Sequence, residues 1–405
     1  MRTRSSSRLP FEVWALVAGG FAVALGYGVV APAIPQFALE FGVSNFAASA
    51  IVSAFALMRL VGAPLAGWVV SRFGERSTYS TGILIVALST GAAAFAVNYP
   101  QFLILRGLGG LGSAMFTIAA TALLVKVSPV ESRGRVASLN ASGFLLGGLL
   151  GPVLGGVVAV FGLRAPFLFY FLTLIVAATV VAIALRNSPA AAAPSAKRTA
   201  AGGDPDAVRL SEALRVPQFR SLLFSTFAFG WASFGVRVSL VPILVAVTFS
   251  GDATVAAWIL AAYAAGNAAL ILPSGRWTDT VGRKPLLILG FAIITVGYLA
   301  IPASPSLWVL AGIMVFCGAG SALANPGQQA VLADVLAMRR GGSAVAAYSM
   351  ASDLGGTLGP AIAGAVVDLA GFGWGFGLTA ALLAAAVVAW SVVPDSRRLK
   401  RAQST

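Results

Sequence analysis

Long apolar runs alternate with short polar breaks along the whole chain. Twelve runs of about 20 mostly apolar residues can be marked. They cover approximately 12–35, 46–70, 78–97, 101–125, 136–160 and 165–186, then 219–247, 255–275, 285–302, 307–333, 343–369 and 374–393. Charged residues or Pro/Gly/Ser clusters separate them. Such a run crosses a bilayer only as a helix, because hydrocarbon offers no partner to an open backbone group. The pattern predicts an all-α membrane protein with twelve transmembrane helices. Residues 187–218, rich in Ala, Pro and charge, break the rhythm. They read as a flexible linker between two six-helix halves, with a short interfacial helix in RLSEALRVPQ. The expected organisation is a tail (1–11), a bundle (12–186), the linker (187–218), a second bundle (219–393) and a tail (394–405).

Composition agrees. The 405 residues are 58% hydrophobic and 10% charged, against about 25% charged in a soluble domain. The net charge of +14 would point a soluble protein toward nucleic acid, but the placement of the charges explains it otherwise. The N-terminal tail carries Arg2, Arg4 and Arg8, and the loop after the second run Arg72 and Arg76. Lys126, Arg133 and Arg135 follow the fourth run, and Lys197, Arg198, Arg209 and Arg215 lie in the linker. Arg276, Arg283 and Lys284 follow the eighth run, Arg339 and Arg340 the tenth, and Arg397, Arg398, Lys400 and Arg401 end the chain. With alternating spans all of these share one side, and the opposite loops carry only Arg164. That asymmetry predicts a multi-pass cell-membrane protein with both termini cytoplasmic, and no nucleic-acid partner. Residues 1–10 look like the start of a signal peptide, but the apolar run behind them is too long for one. There is no histidine and one cysteine, Cys317. An imidazole relay, an internal disulfide and a metal cluster are excluded, and no cofactor is implied.

The halves repeat. GWVVSRFGER (67–76) aligns with GRWTDTVGRK (275–284), and GGLLGPVLGG (147–156) with GGTLGPAIAG (355–364), both at an offset of 208 residues. Two motifs about 80 residues apart sharing one offset make the halves duplicates, and an even number of helices per copy makes the repeat parallel. Gly143, Gly147, Gly151 and Gly155 recur every fourth residue, and Ala351, Gly355, Gly359 and Ala363 answer them. Small-residue faces let helices approach closely in lipid, and Pro152 and Pro360 permit bends. The stripe is expected to be a close-packed, bendable seam between bundles; plain close packing is the alternative.

These residues resemble the major facilitator superfamily across the chain. GRWTDTVGRK fits its signature loop G-x-x-x-D-x-x-G-R-K, with Gly275, Asp279, Gly282, Arg283 and Lys284. The first-half copy departs, with Ser71 in place of the Asp and Glu75 in place of a basic residue. RGLGGLGSA (106–114) resembles the fourth-helix motif, with Arg106 as its arginine. GGLLGPVLGG and LGYGVVAPAIP (25–35) are similar to the twelve-helix drug:proton antiporters. The resemblance implies secondary active transport of a small molecule against protons by alternating access, from a monomer. It gives a gating role to Asp279, Gly282, Arg283 and Lys284, with Asp279 expected to pair with Arg283 and with the N-terminus of a neighbouring helix. Gly147, Gly151, Pro152, Gly155, Gly359 and Pro360 would form the moving seam.

Arg59, Arg106, Arg237 and Asp353 fall well within spans, while Asp368, in the same span as Asp353, lies near its outer end. Such charges are costly and are functional candidates by default. Their repeat positions, Asn267, Met314, Val29 and Leu145, are uncharged. Packing needs the symmetry, whereas a chemical site does not. Asp353 lies about 15 Å into its span, near the midplane, and is the first choice for the proton-exchanging group; a structural ion pair is the alternative. The resembled fold sets helices two and eleven face to face, so Arg59 and Asp353 are expected to pair. Arg106 is a candidate for coupling proton to substrate, or snorkels outward; snorkelling is the expectation for Arg237.

The same fold implies a central cavity. Candidate lining residues are Tyr27, Met115, Phe116, Asn140 and Trp231, together with Phe234, Asn267, Asn325, Gln328 and Tyr348. Aromatic and amide groups suit an amphipathic organic molecule. No G-x-x-x-x-G-K-[ST] motif occurs, so a gradient must supply the energy. Proton-coupled efflux is the leading reading. Uptake or facilitated diffusion of a nutrient on the same fold remains open, as does a non-transporting membrane sensor. An enzyme is not expected: a membrane-embedded one needs paired acid/base groups or metal ligands in a cleft, and the chain has neither histidine nor a cysteine cluster.

Overall fold

The computed structural model describes residues 9–129, 132–186, 188, 210–336 and 342–395, without the side chains of 134, 279 and 342. Helices α1 (Phe11–Leu39, interrupted at Ala31–Pro32), α2 (Asn45–Phe73), α3 (Glu75–Ala93), α4 (Tyr99–Val127), α5 (Arg133–Ala159) and α6 (Ala165–Leu185) form the first half. Helices α7 (Pro217–Phe249), α8 (Ala253–Thr280), α9 (Arg283–Ala300), α10 (Leu307–Leu336), α11 (Gly342–Ala370) and α12 (Phe372–Val392) form the second. Among the described residues, all but α3 and α11 contain a stretch long and apolar enough to span a membrane. α3 begins with Glu75 and a Ser/Thr-rich turn, and α11 carries Ser352, Asp353 and Thr357. These ends fall within a few residues of the sequence expectation. The short helix expected in the linker shrinks to Leu210–Ala213.

Local chemistry sets the boundaries. Ser44, Asn98 and Asp252 accept the amides of Ala47, Gln101 and Val255, capping α2, α4 and α8. Gly74 and Gly282 end α2 and α8 at φ 82° and 127°, a backbone region in which side-chain-bearing residues are strained. The same glycine of the repeat thus turns the chain in both halves.

Packing follows the duplication. In the first half α2 and α3 pack on α4, and α1 packs on α5 and α6; in the second α8 and α9 pack on α10, and α7 on α11 and α12. Two seams join the halves, α2 against α11 and α5 against α8.

The glycine stripe does not form either seam, which corrects the expectation. Gly147, Gly151 and Gly155 face α1 of their own half: a Cβ on Gly151 would stand 2.6 Å from the Cα of Gly28, and one on Gly155 3.0 Å from the Val29 carbonyl. Gly355 and Gly359 face Phe227 and Trp231 of α7 in the same way, and Pro152 and Pro360 seat against Gly28 and Gly235. The stripe lets the two helices of each half interlock at backbone distance. The next residue makes the contact between halves. Gly156 lies under the Trp258 indole of α8, and its repeat partner Gly364 under Ser49 of α2.

A candidate transport cavity between the halves

Where the halves meet, a cavity of about 480 Å³ is lined from both sides. The first half supplies an aromatic wall of Tyr27, Phe55, Phe116, Phe144 and Tyr170. The second supplies a wall of hydroxyls and amides from α10 and α11, with Thr226, Phe229 and Phe234 of α7. α7 winds as a π-helix over Gly230–Val236, a local widening frequent at functional sites, and it presents Phe234 to the cavity.

Arg59 of α2 and Asp353 of α11 meet on the cavity wall, Nη2 to Oδ1 3.7 Å. They form the first rung of a ladder up the α2/α11 seam. Next, the Ala361 amide donates to Ser53 Oγ at 3.1 Å. Gly364 then packs on Ser49. At the top, Asp368 accepts from Asn45 N, Asn45 Nδ2 and Phe46 N at 3.0, 2.8 and 2.8 Å. A carboxylate of one half thereby caps the start of a helix of the other. Beside it, Gln36 Nε2 donates to the carbonyls of Pro242 and Gly251 at 3.1 and 3.4 Å. These polar contacts between the halves run from the cavity toward the side opposite Arg186 and Pro217, where α6 ends and α7 begins; this is the distal side, and the other is the linker side. The α5/α8 seam at the equivalent height is the apolar Gly156–Trp258 contact.

Arg106 is 2% exposed, so it does not snorkel. Its guanidinium lies over the Phe55 ring at 4.8 Å, near Tyr27 and Tyr170, and its Nε has no hydrogen-bond partner among the described residues. It stands behind the aromatic wall rather than in the cavity. Arg237 also turns inward, 4.0 Å over the Tyr263 ring, with Nε donating to the Ser233 carbonyl at 3.0 Å.

Of the expected lining residues, Tyr27, Phe116, Phe234, Asn325, Gln328 and Tyr348 reach the cavity. Four others are placed elsewhere. Trp231 is buried and donates to Thr379 Oγ1 of α12 at 3.1 Å. Met115 packs with Ala66 and Ala114 inside the first half. Asn140 lies against Gly20 of α1. Asn267 Nδ2 donates to the Gly318 carbonyl at 3.4 Å. Phe55, Tyr170, Gln329 and Ser352 line the cavity and were not anticipated.

On the linker side the repeat shows a second regularity. Glu75 pairs with Lys126 at 3.0 Å, and Arg283 pairs with Asp334. Both residues of one pair sit 208 positions from those of the other, with charges exchanged. The unusual Glu75 of the first-half loop is thus balanced by Lys126. The Asp279 side chain lies outside the described residues, and Arg283 finds its carboxylate on α10. Ser71 Oγ donates to the Trp68 carbonyl of its own helix at 2.7 Å. Arg76 donates to the Arg186 carbonyl at 3.2 Å, and Lys284 to that of Ser391 at 2.7 Å, so a basic residue closes the last helix of each half.

Comparison with known proteins places this architecture. By fold the chain resembles the crystal structure of a bacterial homolog of the human lysosomal transporter Spinster, inward-facing and unoccupied. The TM-score is 0.76 at 18% identity, over 96% of this chain and 97% of that one. A D-xylose–proton symporter gives a TM-score of 0.73 at 19% identity, over 95% and 98%. Among curated relatives, Multidrug resistance protein 2 of Bacillus subtilis (strain 168) is 30% identical over 173 residues, 43% of each chain. Quinolone resistance protein NorA of Staphylococcus aureus (strain MRSA252) is 27% identical over 162 residues, 39% of this chain and 41% of NorA. These matches span less than half the length of either relative. The family model of the Major Facilitator Superfamily matches residues 16–244 and 222–405. The chain, a multi-span membrane protein, belongs to the Major Facilitator Superfamily.

Proposed function

We propose that this protein is a secondary active exporter of an amphipathic small organic molecule, driven by proton exchange. The observation that carries the reading is the Arg59–Asp353 pair, an ionisable bridge between the halves on the wall of the central cavity. The drug-resistance relatives support efflux. The positive loops support a cytoplasmic linker side and cytoplasmic termini in the cell membrane. The cavity closed at its distal side then corresponds to the inward-facing state.

The cycle follows from the charges. With Asp353 ionised and held by Arg59, the inward-facing cavity takes up substrate. The bundles 12–186 and 219–393 rock, the α2/α11 ladder opens from Asp368 downward, and substrate leaves outside. Asp353 then takes a proton. Attraction of two unit charges about 4 Å apart is worth roughly 4 kcal/mol at an effective dielectric of ~20 and about 1 kcal/mol in water, and this pair is partly exposed; protonation removes that tie between the halves and frees the empty protein to move. The protonated, empty protein returns and releases its proton to the cytoplasm. Arg106 ties the aromatic wall to α4, so movement of Phe55 and Tyr27 is felt along that helix. The exchanged-charge pairs and the signature loop brace the linker side when it closes. The unit of transport is the monomer.

The test is dye efflux from proteoliposomes under an imposed pH gradient, with wild type and Asp353→Asn. Gradient-driven flux in wild type and its loss in the variant support the reading. Gradient-independent flux in both contradicts it.

A further inference from the structure

The cavity walls differ in which polar groups are left unused. Arg59 and Asp353 face each other. Gln328 is committed to α7, its Nε2 donating to Ser225 Oγ at 3.2 Å and Thr226 Oγ1 at 3.3 Å. Tyr348 and Thr226 hydrogen-bond each other. Asn325 and Gln329 are different. Both line the cavity, and among the described residues neither has a hydrogen-bond partner. They stand four residues apart on α10, within one helix. That spacing puts the two side chains on one face, with Cβ atoms about 5–6 Å apart. Each primary amide offers two donors and a carbonyl acceptor.

We propose that Asn325 and Gln329 form a two-point clamp for an uncharged hydrogen-bonding head group, such as a carboxamide, carried on an aromatic body. This rests on the export reading above and names its substrate class. The aromatic body lies against Phe55, Phe116 and Tyr27, opposite α10. One clamp amide accepts from the ligand N–H and the other donates to the ligand carbonyl. A charged head has less to gain. The acid and base of the cavity already satisfy each other, and Arg106 behind Phe55 adds a positive field that opposes a cation. A site built for hydrogen bonds discriminates strongly against analogues that cannot make them, because its own polar groups are then left unpaired. The clamp also keeps substrate and proton on different groups, so the two communicate through the movement of the halves rather than by sharing one carboxylate.

The probes are 2-naphthamide, its N,N-dimethyl derivative, 2-naphthoate and a naphthylmethyl trimethylammonium ion. Protein-dependent flux is measured in proteoliposomes, and binding to the same protein in nanodiscs by tryptophan quenching. Wild type should prefer the primary amide over the dimethylamide by about tenfold or more in KM or Kd. Asn325→Leu/Gln329→Leu should erase that preference by weakening the primary amide, which loses two hydrogen bonds, more than the dimethylamide, which loses only the one to its carbonyl. A wild-type size-exclusion profile and melting temperature show that the variant is folded. Equal affinity for both amides in wild type, preference for the carboxylate or the ammonium ion, or a preference that survives in the variant would each overturn the clamp. Absence of flux for every probe, with the binding preference intact, would overturn the export reading and leave the clamp standing.

Discussion

Replacing Asp368 by alanine removes the cap that closes the distal end of the α2/α11 seam. Three hydrogen bonds to a carboxylate are lost, two from backbone amides and one from Asn45 Nδ2. Hydrogen bonds to charged groups contribute about 1.5–3 kcal/mol each. The carboxylate is exposed, and exposed pairs keep only about 1 kcal/mol or less. A total of roughly 2–3 kcal/mol is therefore reasonable for the cluster. All of it belongs to the state in which the halves touch distally, because donors and acceptor lie on opposite halves. The equilibrium should shift toward the distally open state by about 30- to 150-fold. Ser49 is fully buried in the same seam, so a Ser49→Cys probe reports the opening. The native Cys317 is buried and stays silent. A membrane-impermeant maleimide added from the distal side should label Ser49→Cys slowly, and much faster when Asp368→Ala is also present. Asp368→Asn, which keeps one acceptor oxygen, should fall between. Equal labelling rates in all three well-folded proteins would refute the idea that Asp368 holds the distal end shut.

Other consequences follow from the same structure. Lys126→Glu leaves the largely buried Glu75 facing a like charge and should lower thermal stability by about 3–5 kcal/mol; adding Glu75→Lys should restore most of it, and a fluorescence melt in detergent reads both. Gly151→Val should prevent folding, because its Cβ would enter the backbone of Gly28, whereas Gly312→Ala, with open space around it and away from the cavity, should behave as wild type in size-exclusion profile and flux. Ser53→Ala removes one bond between the halves and should open the distal side by only about fivefold in the same maleimide assay, about 1 kcal/mol.

The span count and the duplication were legible because apolar run length and repeat offset are properties of the chain alone. The Arg59–Asp353 pair was also within reach, since the charges fall at similar depth in helices that the family resemblance sets face to face. The facing of individual side chains was not. Trp231, Met115 and Asn267 sit on helices apolar on nearly every side, so no amphipathic stripe marks which face meets the cavity. The glycine stripe announced a smooth face and gave no sign of its partner, which proved to be the neighbouring helix of the same half. The exchanged-charge pairs did leave a signal: Glu75 and Lys126 stand at the repeat offset from Arg283 and Asp334. Comparing charge products across the repeat, rather than residue identities, would have found them. Asp368 was visible near a helix end, but its role depends on a contact with a residue more than 300 positions away.

The central claim is that Asp353 carries the exchanged proton. Its most direct test is proton release on substrate binding, read with a pH indicator in weakly buffered solution around purified protein. The measurement is made at a pH where the substrate-free site is partly protonated. Substrate favours the ionised, inward-facing form, so wild type should release protons in a saturable manner and Asp353→Asn should release none while still binding. Equal release from both proteins would contradict the assignment.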